Sequence, residues 1–141
     1  MKQLLCLIAF LLLAVMSANA QRTLGLTMGE LSALYKKSPS MVDWQREKND
    51  SGNTVIKFID SRDNTMIMSL FKPIPGSNEE LVTATIVLGP KEPFFDIFTA
   101  TCRRLYTMRN VGEWVDTENN VLISVNSDGD VAAMSFTLLS K

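Results

Sequence analysis

The sequence predicts an α+β protein: an antiparallel sheet of six to seven short strands packed by one long and one short helix, in the order α-β-β-β-β-α-β-β. Three observations predict it. Beyond the N-terminal apolar run, large apolar residues recur at helical spacing in two segments, residues 28–35 and 94–108. Elsewhere apolar and polar residues alternate, the period of a half-buried strand. Gly, Asn and Asp separate the alternating stretches at the spacing of hairpin turns.

The N-terminal end stands apart. Lys2 precedes an unbroken apolar run over residues 4–16, and Ser17-Ala18-Asn19-Ala20 follow ahead of Gln21. A basic start, a short apolar centre and a small-x-small site make a secretory signal peptide, and the run is too short to span a bilayer comfortably. Residues 1–20 are expected to be removed after Ala20. Residues 21–141 then form one exported domain, periplasmic or extracellular, with no integral membrane span. Cys6 leaves with the leader, so Cys102 is the single thiol of the mature chain and no intramolecular disulfide can form.

After a short polar lead, Thr27 and Glu30 have the spacing of a capping box, and Leu26 can staple onto Leu31. Met28, Leu31, Leu34 and Tyr35 share one helix face, Lys36 and Lys37 suit the C-terminal end, and Ser38-Pro39 stops the helix. From residue 44 to 72 the turns Asp50-Ser51-Gly52 and Arg62-Asp63-Asn64 divide three strands, with Gly52 and Asn64 left-handed. Three-residue loops would align Arg46, Ile56 and Leu70 in one row. Trp44, Phe58 and Met68 would form another on the same face, with Lys57 opposite Ser69 on the reverse.

A turn over 73–78 leads to a fourth strand, 81–88, apolar on both faces. Gly89-Pro90 breaks the sheet and Pro93 opens the longer helix. Its Phe94, Phe98, Thr101, Leu105 and Met108 line one face, Cys102 lies on the flank as a core thiol, and Gly112 ends it. The last hairpin, 121–125 with 131–138 through Asp128-Gly129, pairs Val125 with Ala132, Ile123 with Met134 and Val121 with Phe136. All six fall on one face.

Laid over one another without gaps, residues 53–70 and 119–136 match at Asn53/Asn119, Val55/Val121, Ser61/Ser127, Met68/Met134 and Ser69/Ser135. Trp44 corresponds to Trp114 upstream. These matches suggest two helix-plus-hairpin halves, 26–88 and 93–139, sharing one sheet. Read as a tandem repeat, the element order is similar to that of the secreted β-lactamase-inhibitor-protein type of domain. The similarity is one of topology alone; it implies no residue roles and favours a protein that binds other proteins.

Composition narrows the chemistry. The 14 Lys and Arg and 15 Asp and Glu are interspersed without a basic stripe, which argues against nucleic acid as a partner. There is no histidine, so the usual general base and commonest metal ligand are missing, and Ser38, Ser40 and Ser61 have no imidazole to activate them. Asp60 with Asp63, or Glu113 with Asp116 and Glu118, would be the carboxylates of a cofactor-free enzyme acting on extracellular or cell-wall polymers. Nothing in the sequence singles out one pair. Asn126-Ser127-Asp128-Gly129-Asp130 lacks the spacing of a calcium loop and reads as a turn. Met66 and Met68 read as core residues rather than a Cu(I) pair. No catalytic residue, metal or cofactor is expected.

One feature points to an interaction. On the central hairpin, Val55, Ile59, Ile67 and Phe71 would form an apolar face opposite Trp44, Phe58 and Met68. One long helix cannot cover both faces of a sheet. Either the short helix crosses over to cover these four residues, or they contact another protein, a second copy of the chain or an apolar ligand. The sequence therefore points to a small exported, non-catalytic protein-binding or inhibitor-like domain. The alternatives are the carboxylate enzyme and a self-associating envelope protein.

Overall fold

The expected N-terminal cap is formed. In the computed structural model, which describes residues 20–139, the Glu30 N–H donates to Thr27 Oγ1 (3.3 Å) and the Thr27 N–H donates back to the Glu30 carboxylate (2.8 Å). Helix α1 then runs over Met28–Lys36 and buries Leu31 and Tyr35, while Leu34 stays exposed. The expected leader, Ala20 apart, lies outside the described residues. Residues 21–27 are more than a polar lead. The Gly25 N–H donates to the Val82 carbonyl (2.7 Å) and the Val82 N–H to the Leu26 carbonyl (2.9 Å). The buried hydroxyls of Thr23 and Thr85 share a hydrogen bond of 2.7 Å.

Four strands follow, β1 (Met41–Lys48), β2 (Thr54–Asp60), β3 (Thr65–Pro73) and β4 (Glu80–Pro90), then helix α2 (Lys91–Leu105). The chain ends in β5 (Thr107–Asn110), β6 (Glu113–Asp116), β7 (Val121–Asp128) and β8 (Val131–Leu138). All eight strands join one antiparallel sheet in the order β1-β2-β3-β4-β8-β7-β6-β5. The class is α+β as expected, but there are eight strands where six to seven were expected.

The two additional strands come from residues 107–116. Met108 continues the 3.6-residue spacing of α2, yet the helix stops at Leu105, and both Leu105 and Met108 are about half exposed. Gly112 does not end a helix; it sits between β5 and β6 with φ of +75°, a conformation that glycine adopts without strain. Strands four residues long carry too little alternation to outweigh a helical period that runs into them. At the other end of α2, Glu92 has extended φ/ψ, so the regular helix begins at Pro93 as expected.

The registers separate good turn signals from poor ones. The β1–β2 pairing Arg46↔Ile56 is as expected, with Gly52 at φ +77°. Asn64 is left-handed as expected, but β2 and β3 are slipped by one residue: Asp60 pairs with Thr65, Phe58 with Ile67 and Ile56 with Ser69. The loop holds four residues because Asp60 organises it. Its Oδ1 accepts from the Arg62 N–H (3.0 Å) and its carbonyl from the Asn64 N–H (2.8 Å). The β7–β8 turn is shifted to Gly129-Asp130, giving Val125↔Met134 and Ile123↔Phe136. That register differs by two residues, so the faces are kept and all six expected residues are buried.

Helices α1 and α2 lie on one face of the sheet. α2 packs on β4, β5, β7 and β8. α1 sits over the other half, with the Tyr35 ring 4.1 Å from that of Phe58. Beneath them lies one core that includes Phe58, Phe71, Phe98, Trp114 and Phe136. Trp44, two residues before Arg46 and so on the same face as expected, stacks on Phe58 at 5.9 Å. The sheet order is symmetric about the β4–β8 joint. That symmetry equates β2–β3 with β6–β7, whereas the ungapped matches lay β2–β3 over β7–β8. The matched residues are therefore not at symmetry-related positions.

Where β4 passes into α2, backbone meets ring. A Cβ at buried Gly89 would lie 3.0 Å from the Phe94 ring. Gly89→Ala is expected to cost about 1 kcal/mol, the low end of overpacking because alanine itself favours the strand. Urea titration would measure it; an unchanged midpoint would show that Phe94 moves aside freely.

Candidate functional site

Among the described residues neither α1 nor α2 packs on the second face of the sheet, where Val55 is buried by its strand neighbours, Met66 is exposed and the other large apolar side chains are part-buried. Three cross-strand rows line it, and the ladder registers place them. The first runs Ile59, Met66, Leu88, Ala133 and the second Lys57, Met68, Ile86, Ser135. The third runs Val55, Leu70, Ala84, Thr137. Over β2–β4 this face is bulky and apolar. Over β7–β8 it is mostly small or polar apart from Leu122 and Val131, with the Ser124 and Ser135 hydroxyls 2.5 Å apart. At the β1 edge Lys57 and Glu47 form an ion pair.

The four residues expected to share an interaction face are divided between the two faces. Val55 and Ile59 are on the open one. Ile67, 7 % exposed, and Phe71, fully buried, belong to the core under the helices. The one-residue slip between β2 and β3 is the reason, because it turns every β3 side chain over relative to β2. It also moves Met68 away from Phe58. Met66 and Met68 lie on the open face, so reading them as core residues is also corrected. The short helix does not cross over: α1 shares a face with α2. Met66, Leu70, Ile86 and Leu88 are open-face residues that turn-based pairing missed, although the apolar residues on both faces of 81–88 already marked a sheet with two apolar sides.

A second feature lies at the corner between the C-terminal end of α1 and the β2–β3 turn, a cavity of about 370 Å³. Asp60 is on its wall with no exposed surface. Arg62 grips this carboxylate through Nε (2.9 and 3.1 Å) and Nη2. Burial alone would raise the Asp60 carboxyl, but the hydrogen bonds and charge of Arg62, with a hydrogen bond from Ser40, outweigh it and hold the group below its ordinary value. Burial, helped by the Asp60 charge, pushes the Tyr35 phenol up, so the ring stays neutral.

A carboxyl held low in the folded chain binds fewer protons there than when unfolded. Its contribution to stability is complete above the ordinary aspartate value and is lost as pH falls through the folded one. Arg62→Gln should therefore cost about 1–2 kcal/mol at neutral pH, discounted because Arg62 is half exposed. It should also move the onset of acid unfolding to higher pH. Denaturant melts across an acid series test this, and an unshifted onset would mean that Asp60 needs no cation.

The other carboxylates serve turns. Asp63 accepts from the Thr65 N–H and hydroxyl (3.0 and 2.7 Å). Asp116 accepts from Asn119, Glu118 and Gln21, and Glu113 from Asn110 (2.9 Å). Asp63 and Glu113 are held within their own turns and Asp116 by its turn and Gln21; of Asp60 and Asp63, only Asp60 is on the wall of the corner cavity. Cys102 is buried, and burial pushes its thiol up to about 12. It is protonated at neutral pH and a poor nucleophile.

No helix among the described residues is long and apolar enough to cross a membrane. The chain defines an α+β class with α1 and α2 on one side of an eight-stranded antiparallel sheet. It matches no protein-family model, no curated protein and no solved structure.

Proposed function

We propose that this is a small exported, non-catalytic binding domain that acts through the open face of its sheet. The observation that carries the reading is that α1 and α2 lie on one side, leaving the rows of Ile59, Met66, Met68, Leu70, Ile86 and Leu88 without a helix packed on them among the described residues. Contiguous apolar surface of this kind marks a docking site. Export is supported by the leader-like order of Lys2, the apolar run and the Ala18-Asn19-Ala20 site. Duplication of a helix-plus-four-strand unit is supported by the sheet order rather than by the residue matches.

The occupant we propose is a second copy of the chain. The five strands β2–β4, β8 and β7, about 4.8 Å apart and about 29 Å long on average, present a face of roughly 700 Å², close to the ~800 Å² each partner buries in a stable complex. A two-fold axis between stacked faces and parallel to the strands lays the bulky β2–β4 half of one copy on the less bulky β7–β8 half of the other, the self-complementarity that a symmetric dimer needs. Sedimentation velocity on protein expressed from the full chain is the test. A concentration-dependent dimer is expected. A monomer at all concentrations, with a foreign protein captured from the exported fraction on the same face, would replace the second copy by that partner. A monomer that captures nothing would overturn the reading.

A further inference from the structure

We infer that the corner cavity between α1 and the β2–β3 turn is a binding site for a small anion with an apolar body, the chemistry of a medium-chain carboxylate. Its walls are of two kinds. Leu34, Met41 and Ile67 make an apolar side, and Arg22, Lys37 and Arg62 bring three cations to a single carboxylate, Asp60. Arg62 is already committed to that carboxylate. Arg22 and Lys37 have no carboxylate partner among the described residues, so the cavity keeps two cationic groups that nothing neutralises. The end of α1 contributes a partial negative charge of about half a unit, too little to cancel them. The Tyr35 hydroxyl, without a hydrogen bond among the described residues, is a neutral donor beside the charges.

The volume suits a small ligand, which pockets of about 300–1,000 Å³ accept. The division of walls sets its orientation: the head group toward Arg22, Lys37 and Tyr35, the chain against Leu34, Met41 and Ile67. A free anion without an apolar body leaves the aliphatic wall wet. An apolar molecule without charge leaves both cations unused. Only a ligand with both parts satisfies the site, which is separate from the open sheet face.

The test uses octanoate, octan-1-ol and acetate as probes against protein expressed from the full chain, followed by amide NMR shifts. Octanoate is expected to saturate with its largest shifts at Leu34, Tyr35 and Met41, and to bind roughly tenfold or more tightly than either other probe. The double variant Arg22→Gln/Lys37→Gln changes two exposed side chains. It should keep the wild-type melting temperature and lose octanoate affinity by about tenfold. Octanol binding as well as octanoate, an unaltered double variant, shifts confined to the open sheet face, or no saturation at all would each overturn the assignment.

Discussion

Ile67→Asp is expected to leave the protein unfolded at room temperature, whereas Met68→Asp, one residue on, is expected to leave it folded and monomeric. Ile67 is 7 % exposed, paired with Phe58 on β2 and Val87 on β4 beneath the helices. Removing it forfeits about 2–3 kcal/mol of apolar burial, and an uncompensated carboxylate in its place costs several more. The sum exceeds about 5 kcal/mol, the low end of the stability of a small domain. Met68 is on the open side and pairs directly with Lys57. An aspartate there gains an opposite charge across the strands, while a charge in the middle of the docking face is costly to bury in a dimer. Circular dichroism and sedimentation velocity on both variants decide the matter. A folded Ile67→Asp protein would mean that the faces are assigned the wrong way round, and a dimeric Met68→Asp protein would remove the open face as the interface.

Phe136→Ala is expected to cost about 3–5 kcal/mol, the range for truncating a buried aromatic ring, without splitting the transition. Phe136 is fully buried on β8, paired with Thr85 across the joint and with Ile123 on β7. The halves of the sheet meet only along the β4–β8 ladder, from Ala84↔Thr137 to Pro90↔Val131, but one hydrophobic core runs beneath both. A shared core makes unfolding all-or-none. Trp44 lies in the first half and Trp114 in the second. In the Trp44→Phe and Trp114→Phe backgrounds, fluorescence melts of Phe136→Ala should therefore share one lowered midpoint. Separate midpoints would show two independent folding units.

Local chemistry was legible wherever a few adjacent residues decide the outcome. The Thr27/Glu30 box, the left-handed Gly52 and Asn64 and the start of α2 at Pro93 depend on backbone conformations that the side chains in place select. The final hairpin survived a misplaced turn because its error was even. The central hairpin did not survive an odd one. There the decisive interaction is the Asp60 carboxylate meeting the Arg62 N–H and guanidinium, which lengthens the loop by one residue and leaves no mark in hydrophobic spacing. The candidate interaction face failed with it: Val55 and Ile59 were placed on the right side, Ile67 and Phe71 on the wrong one.

By itself the sequence determined the class, the caps, most of the strands and the chemistry that is unavailable without histidine. Those follow from residue type and short-range spacing. Only the tertiary structure decided that residues 107–116 form two strands, that α1 joins α2 on one face, and that Arg22, Lys37 and Asp60 meet at one cavity. The physical reason is common to all three. Edge strands, helix placement and converging charges are set by contacts between distant segments, and a chain apolar on both sides of its strands does not specify which side its helices cover until the sheet is assembled.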